Sequence, residues 1–528
     1  MKTKSSNLLR SLCVALLALS ITSLYGQITP LEVSAVSFSI SPKVGTPSGH
    51  SRTGHKIEEV HGDLINTLVL FKQGDEKYCI ISSPLGIEKG TLNDVAVAEL
   101  SKILNIPATN ITANSSHNHT IPYLEVRDVE RPEEGTPYLL SWELGREFLT
   151  EFKKAAHELE KNLQPVSVEW GVAEEKRITY NRKGVHLDGT TYFMREQDRL
   201  TLKGEGYTGV IDSDAGVVVF RNAAGKPVAA LSFFTGHPVG AYSPEKLISY
   251  GQFPQVGSQI LSKYLGDIPV AFLQGCGGNI NSKHMLIGTF EQAEELGEQL
   301  GESFIIAAKS LQPSKRVDIE WSREKVKIPL DELPSLESLE QDLATIDDFI
   351  KRGNEGDENT LYCVGLNFPK ALTPAYRAKL IDLIRPWYVW AINQHKTYNW
   401  RNIPTHLPFD ILVARFGDVG FVGMPYETFV ETGLKIKKHS ALPFVLTCGY
   451  TDGIYGYIPD ASGVKDMEYM SSNYRYRGKY GVFPEWKNKK DSVPEAIYSA
   501  YEFTPPYKAP AGDACADVAI KKLAEFAK

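Results

Sequence analysis

The chain has 528 residues, 42% of them hydrophobic, and carries 57 Lys and Arg against 64 Asp and Glu, a formal charge of −7. This balance lacks the clustered cations that neutralise phosphates, so nucleic-acid binding is excluded as a primary role. The apolar content is ample for a large buried core, and the length would ordinarily suggest two or more domains.

The first residues speak to destination. Lys2, Lys4 and Arg10 precede a mostly apolar run from Leu12 to Leu24, closed by SLYGQ. This is the layout of a secretory signal peptide covering residues 1–26, with cleavage near Gly26 or Gln27. The run is short for a membrane span, and no later segment approaches ~18 unbroken apolar residues. The mature chain, 27–528, is therefore expected to be exported from a bacterium, periplasmic or secreted, without a transmembrane segment. Losing the signal's three cations leaves 54 basic against 64 acidic residues, a net of −10. Five cysteines remain (Cys79, Cys276, Cys363, Cys448 and Cys515) with no CxxC pair, which excludes a cysteine zinc site. Their odd number leaves at least one thiol unpaired, and small buried hydrophobes are their expected role.

Along the chain, short β-branched runs alternate with helical ones. NTLVLF and YCIISS read as strands, LNDVAVAELSKIL and FLTEFKKAAHELEKNL as helices. PVAALSFF and IPVAFLQ are strands again, followed by the helix FEQAEELGEQLGESFIIAAKSL. From about 330 to 400, LPSLESLEQDLATIDDFIKR and a second helical pattern from Pro374 to about Gln394 suggest a helical insertion, broken at GNEGDEN. DILVARF and VGFVGM return to strand, and ETFVETGLKIKKH and the terminal VAIKKLAEFAK to helix. The alternation predicts an α/β architecture, whose polar sites gather where strands end.

Four such exits carry chemistry-bearing residues. TANSSHNHTI holds His117 and His119; in an extended segment the two would share a face. LSFFTGHPVGAY ends a strand at His237. VGFVGMPYETF turns through Gly423 and Pro425 and sets Glu427 in the first turn of the next helix, where the helix dipole alone would favour it. CGYTDGIYGYIPD is a Gly- and Tyr-rich loop carrying Tyr455 and Tyr457. Each can be a structural residue or packed loop. Taken together, three imidazoles and a carboxylate at strand exits form an economical nitrogen and oxygen donor set of the kind that suits zinc.

Taken in order, the motifs resemble the neutral/alkaline (non-lysosomal) ceramidase family, zinc amidases that cut the N-acyl bond of ceramide. VSFSISPKVGTPSGH is similar to the family's D-I-T-P-x-x-G-x-P opening, HGDLINTLVL to H-D-x-L-x-A-x-x-L, and NSSHNHT to S-H-T-H-S. YNRKG, IDSDAGVVVFRNAAGKPVAALSFFTGHP and FLQGCGGNIN are similar to later blocks in the same order. The resemblance implies a mixed-sheet α/β zinc hydrolase domain over nearly the whole mature chain. It carries the zinc ligands onto His117, His237, Glu427 and Tyr457. It makes His119 the general acid and base, puts Arg182 near the substrate amide, and sets Tyr469 as a second site tyrosine.

The departures are specific. GGNINSK has Asn279 in place of an acid and Asn281 in place of the active-site serine; Asn281 can donate a hydrogen bond but cannot be a nucleophile. ISYGQFP has Gln252 in place of Asp, and HSRTGH brings in His50 and His55. The chain ends at Lys528, which leads to the expectation that the family's C-terminal immunoglobulin-like domain is lacking. The expected activity is hydrolysis of an N-acyl amide with one Zn2+, a ceramide-like lipid being the substrate. An esterase or deacylase acting on an acylated carbohydrate or other non-lipid substrate is the alternative, and a catalytically silent binding protein the alternative from another class. The expected partners are a small-molecule or lipid substrate and, transiently, a membrane surface.

Overall fold

The computed structural model describes residues 29–465 and 505–528, apart from 50–54, 89, 186, 188, 190, 243–245, 286, 369, 371, 400–402 and 404. The expected signal peptide, His50 and Tyr469 lie outside the described residues.

Eight strands, β1 (Glu32–Ile40), β2 (Leu64–Gln73), β3 (Glu76–Ser83), β4 (Ile111–Ser115), β5 (Gln164–Glu174), β6 (Asp214–Asn222), β7 (Pro227–Phe234) and β8 (Val270–Gln274), form the larger sheet. Their spatial order is β8-β7-β6-β5-β1-β2-β3-β4, and Gln312–Pro313 adds a ninth strand against β5. Pairs inside the sheet are antiparallel, whereas the outer pairs β3–β4 and β7–β8 are parallel. A smaller sheet has β9 (Ile319–Pro329), β10 (His406–Phe416), β11 (Val419–Gly423) and β12 (Phe444–Cys448) in that order, with β11–β12 parallel.

Strands such as β2, β6, β7, β8, β11 and β12 are buried on both faces, and period-two alternation divides their side chains between two cores. In β6, Val218 and Phe220 meet the smaller sheet, whereas Val217 and Val219 meet α3 (Gln252–Tyr264) and α4 (Phe290–Lys309). In β2, Val69 and Phe71 point between the sheets, and Leu68 and Leu70 pack on α1 (Gly90–Leu104) and α2 (Pro137–Leu159). In β10, Leu412, Ala414 and Phe416 face the larger sheet; Ile411 and Val413 face α8 (Val430–His439) and α9 (Gly512–Phe526). The result is four layers, helix on sheet on sheet on helix. Stacked pairs Phe71–Phe416 and Trp170–Phe444, with centroids 4.5 and 5.3 Å apart, join the sheets. Each of the three buried Phe rings contributes about 1.5–3 kcal/mol by burial.

Between the antiparallel neighbours β9 and β10, the chain runs through α5 (Leu336–Asn354), α6 (Pro374–Asp382) and α7 (Arg385–Lys396), which share an apolar cluster built on Leu339, Ile346, Phe349, Trp387 and Tyr388. The five cysteines are buried and unpaired. Among the described residues no helix is long and apolar enough to cross a membrane.

This topology gathers the polar exits. β4, β7, β11 and β12 each belong to a parallel pair, and their C-terminal ends converge. Bridges Asn114↔Thr451 and Gly275↔Cys448 tie the two sheets together at that end. Loops that leave parallel strands at their carboxyl ends are the usual place for a site in an α/β fold.

Candidate metal centre

β4 stops at Ser115, and His117 adopts φ +57°, the left-handed region that a non-glycine residue rarely occupies. The expected extended segment is therefore absent, and His117 and His119 do not meet by strand alternation. The chain turns instead. The His117 N–H donates to Ser115 Oγ at 3.1 Å, and the Ser115 hydroxyl donates to the Leu85 carbonyl at 2.7 Å. After the turn the two imidazoles lie edge to face, with centroids 5.0 Å apart. An unfavourable backbone conformation held by such anchors marks a position fixed by its surroundings.

His237 arrives from the end of β7. Its Nδ1 is 2.9 Å from the Ile280 carbonyl oxygen, which can only accept, so Nδ1 carries a proton and Nε2 is turned to the site. That Nε2 is 3.0 Å from Glu427 Oε2, and His117 Nε2 is 3.5 Å from the same oxygen.

Glu427 is not in a helix. It forms a two-residue strand, Glu427–Thr428, parallel to Tyr457–Ile458, and α8 begins only at Val430. The helix is delayed because Phe429 is extended and Asn279 Oδ1 accepts from the Val430 N–H at 2.9 Å; the acid of the first helical turn is Glu431. Burial disfavours charge on Glu427, but the imidazoles of His117 and His237, with Arg182 behind them, outweigh it and pull the carboxyl down to about 2.

One ring nitrogen each from His117, His119 and His237 lies within 4.8 Å of the others, as a shared ion requires. Tetrahedral zinc with bonds of 2.0–2.2 Å sets neighbouring donors about 3.3–3.6 Å apart. Of the His–Glu separations, 3.5 Å falls in that range and 3.0 Å lies just below it. The donor set and its spacing therefore fit a zinc-sized cation.

The supporting groups are equally ordered. Gln252, at φ +54°, is fully buried, and its two amide hydrogens are shared among Asn118 Oδ1 (2.9 Å), Thr120 Oγ1 (3.0 Å) and the Pro238 carbonyl (2.6 Å). These acceptors flank His119 and follow His237, so one side chain clasps both histidine loops. Arg182 is buried and donates to Asn281 Oδ1 at 3.0 Å and to the Gly278 carbonyl at 2.6 Å. Its guanidinium lies over the Phe193 and Tyr457 rings, at 5.1 and 5.3 Å. Asn281 bridges beside His237 and is wholly buried. Tyr457 pairs in register with Glu427, so the two side chains leave their strands on one side.

Among the other candidates, Tyr455 is exposed at the surface and His55 lies on an exposed loop. Sequence reasoning passed over Tyr450, whose ring stacks on His117 at 4.4 Å. The signal was present in CGY, two residues past a strand end. A cavity of about 530 Å³ lies behind the histidine loop; Ser116 lines it with Ser82, Ser83 and α3 residues such as Ser258, and His117 does not.

No protein-family model matches the chain, and no curated protein matches it. Among solved structures, the chain is similar to neutral ceramidase from Pseudomonas aeruginosa, with 15% identity and a TM-score of 0.55 over 94% of this chain and 75% of that one. It is also similar to a ceramidase complexed with C2, with 14% identity and a TM-score of 0.54 over 94% of this chain and 76% of that one. The chain thus has a neutral-ceramidase-like fold.

Proposed function

We propose that this chain is an exported, zinc-dependent hydrolase that cleaves an N-acyl amide, with a ceramide-like lipid as substrate. The observation that carries the reading is the convergence of His117, His237 and Glu427 on one point, with His119 alongside, in a fold shared with ceramidases. In this reading His117, His237 and Glu427 hold the cation, and Tyr457 is the fourth ligand. When bound, zinc supplies Lewis-acid polarisation and lowers the pKa of water towards ~7.

The protein's own groups do the rest. His119 takes a proton from the attacking water and returns it to the leaving amine, a role suited to a ring whose ordinary pKa is ~6.5. Arg182, held by Asn281 and Gly278, places a fixed positive charge beside the acyl group. Asn281 accepts from Arg182 and cannot attack carbon, so hydrolysis runs without an acyl-enzyme at that residue. Tyr469 is a second donor in the same reading. The helices between 330 and 400 are an insertion in a single catalytic domain spanning 27–528, and residues 1–26 are its export signal.

The second reading is an esterase or deacylase of the same fold acting on an acylated carbohydrate. Asn281 and Gln252 favour it, since both depart from the residues the resemblance leads one to expect. Purified protein offered a fluorescent N-acyl sphingosine and a panel of acetylated sugars, with and without chelator, separates the two. Chelator-sensitive turnover of the amide supports the first reading; turnover of the sugars alone supports the second.

A further inference from the structure

Tyr450 leaves the end of β12 at φ +50°. Its N–H donates to the Tyr426 carbonyl at 3.0 Å, and its own carbonyl accepts from the Ser115 N–H at 3.2 Å, so it is pinned to the strand that delivers His117. The ring lies flat on the His117 imidazole, 4.4 Å between centroids at 25°, and meets His237 edge-on at 5.9 Å. The side chain is wholly buried, yet among the described residues its phenol oxygen has no hydrogen-bond partner. A buried hydroxyl without a partner is rare and costly. Here it stands against two of the three clustered histidines. A phenol carries an O–H that can donate at neutral pH.

We infer that Tyr450 is a further catalytic residue, whose phenol donates a hydrogen bond to the acyl oxygen as that oxygen gains negative charge. The inference rests on the hydrolase reading above. It gives the unused donor an acceptor that arrives only with substrate, so its effect falls on turnover rather than on binding.

Tyr450→Phe keeps the ring and its stack while deleting the donor. Expected are a fall of roughly 100-fold in kcat with KM within about twofold, and zinc affinity equal to wild type. Acetohydroxamate, whose oxygen would take the same donor, should bind the zinc-loaded variant roughly 10-fold more weakly by calorimetry. The metal-free variant should melt at the wild-type temperature or above, because an orphaned hydroxyl has been removed. Unchanged kcat and hydroxamate affinity would overturn the inference. So would a 10- to 100-fold loss of zinc affinity, which would make Tyr450 a support of the metal ligands, or a lower melting temperature, which would make it structural. Wild-type protein that binds zinc but hydrolyses neither substrate class defeats the hydrolase reading, and the inference falls with it.

Discussion

His237 Nε2 and Glu427 Oε2 stand 3.0 Å apart although 190 residues separate them, and the same oxygen is 3.5 Å from His117 Nε2. One carboxylate thus links loops from β4 and β7 of the larger sheet to the loop after β11 of the smaller. Glu427's folded pKa of about 2 lies below its ordinary 4.5. A depressed carboxylate contributes stability that is present above the unfolded value and is lost as pH falls through the folded one. In metal-free protein, Glu427→Gln should therefore flatten the fall of melting temperature between about pH 4.5 and 2, which differential scanning calorimetry across that range would measure.

His119 is the group assigned to proton transfer. His119→Ala should lower kcat by about 10²- to 10⁴-fold, the range for removing a general acid–base group. Zinc content should remain at one ion per chain. Loss of the ion together with activity would instead make His119 a ligand, as its nearness to His117 and His237 permits. Turnover and metal analysis on one preparation decide between the two.

Gln252 holds the histidine loops without facing the cation. Gln252→Leu removes the donor that Asn118 Oδ1 and the Pro238 carbonyl share, leaving the longer 3.4 Å bond from the His119 N–H to Pro238 to join the two loops. Zinc affinity should drop about 10- to 100-fold, the usual effect of losing an outer support. Competition with a chromophoric chelator would measure it.

Lys437 tests the scaffold below the site. Its Nζ lies 2.7 Å from Asp212 and 2.8 Å from Asp214, and 4.5 Å from the Phe233 ring centroid, fastening α8 to the larger sheet. Lys437→Met should destabilise by about 3–5 kcal/mol, because it leaves a buried Asp212 uncompensated. Although burial disfavours its charge, the two aspartates raise Lys437's pKa above 10.5. The contribution is thus full below pH 10.5 and lost as pH rises through the folded value. Denaturant unfolding of both proteins at neutral pH and above 10.5 should show the difference shrinking; an equal difference at both would argue against the pair.

Much of the scaffold is readable from residues alone. PVAALSFF is strand from first to last, and FEQAEELGEQLGESFIIAAKSL is helix from Phe290 to Lys309, because apolar spacing and burial agree there. What periodicity cannot carry is tertiary choice. Glu427 looks like the start of a helix, but Asn279 caps Val430 and moves the start three residues on. His117 and His119 look extended, but the anchor through Ser115 to Leu85 turns them. Gln252 reads only as a replacement for an acid, and its three acceptors come from loops more than a dozen residues away. Tyr450 stands in CGY, two residues past a strand end, but its stacking on His117 is a relation between strands that meet only in the folded chain.

Calorimetric zinc titration of metal-free wild type beside His237→Ala tests the central claim most directly. The account predicts one tight site per chain in wild type and its loss in the variant. Equal binding by both proteins, or none by wild type, would contradict it.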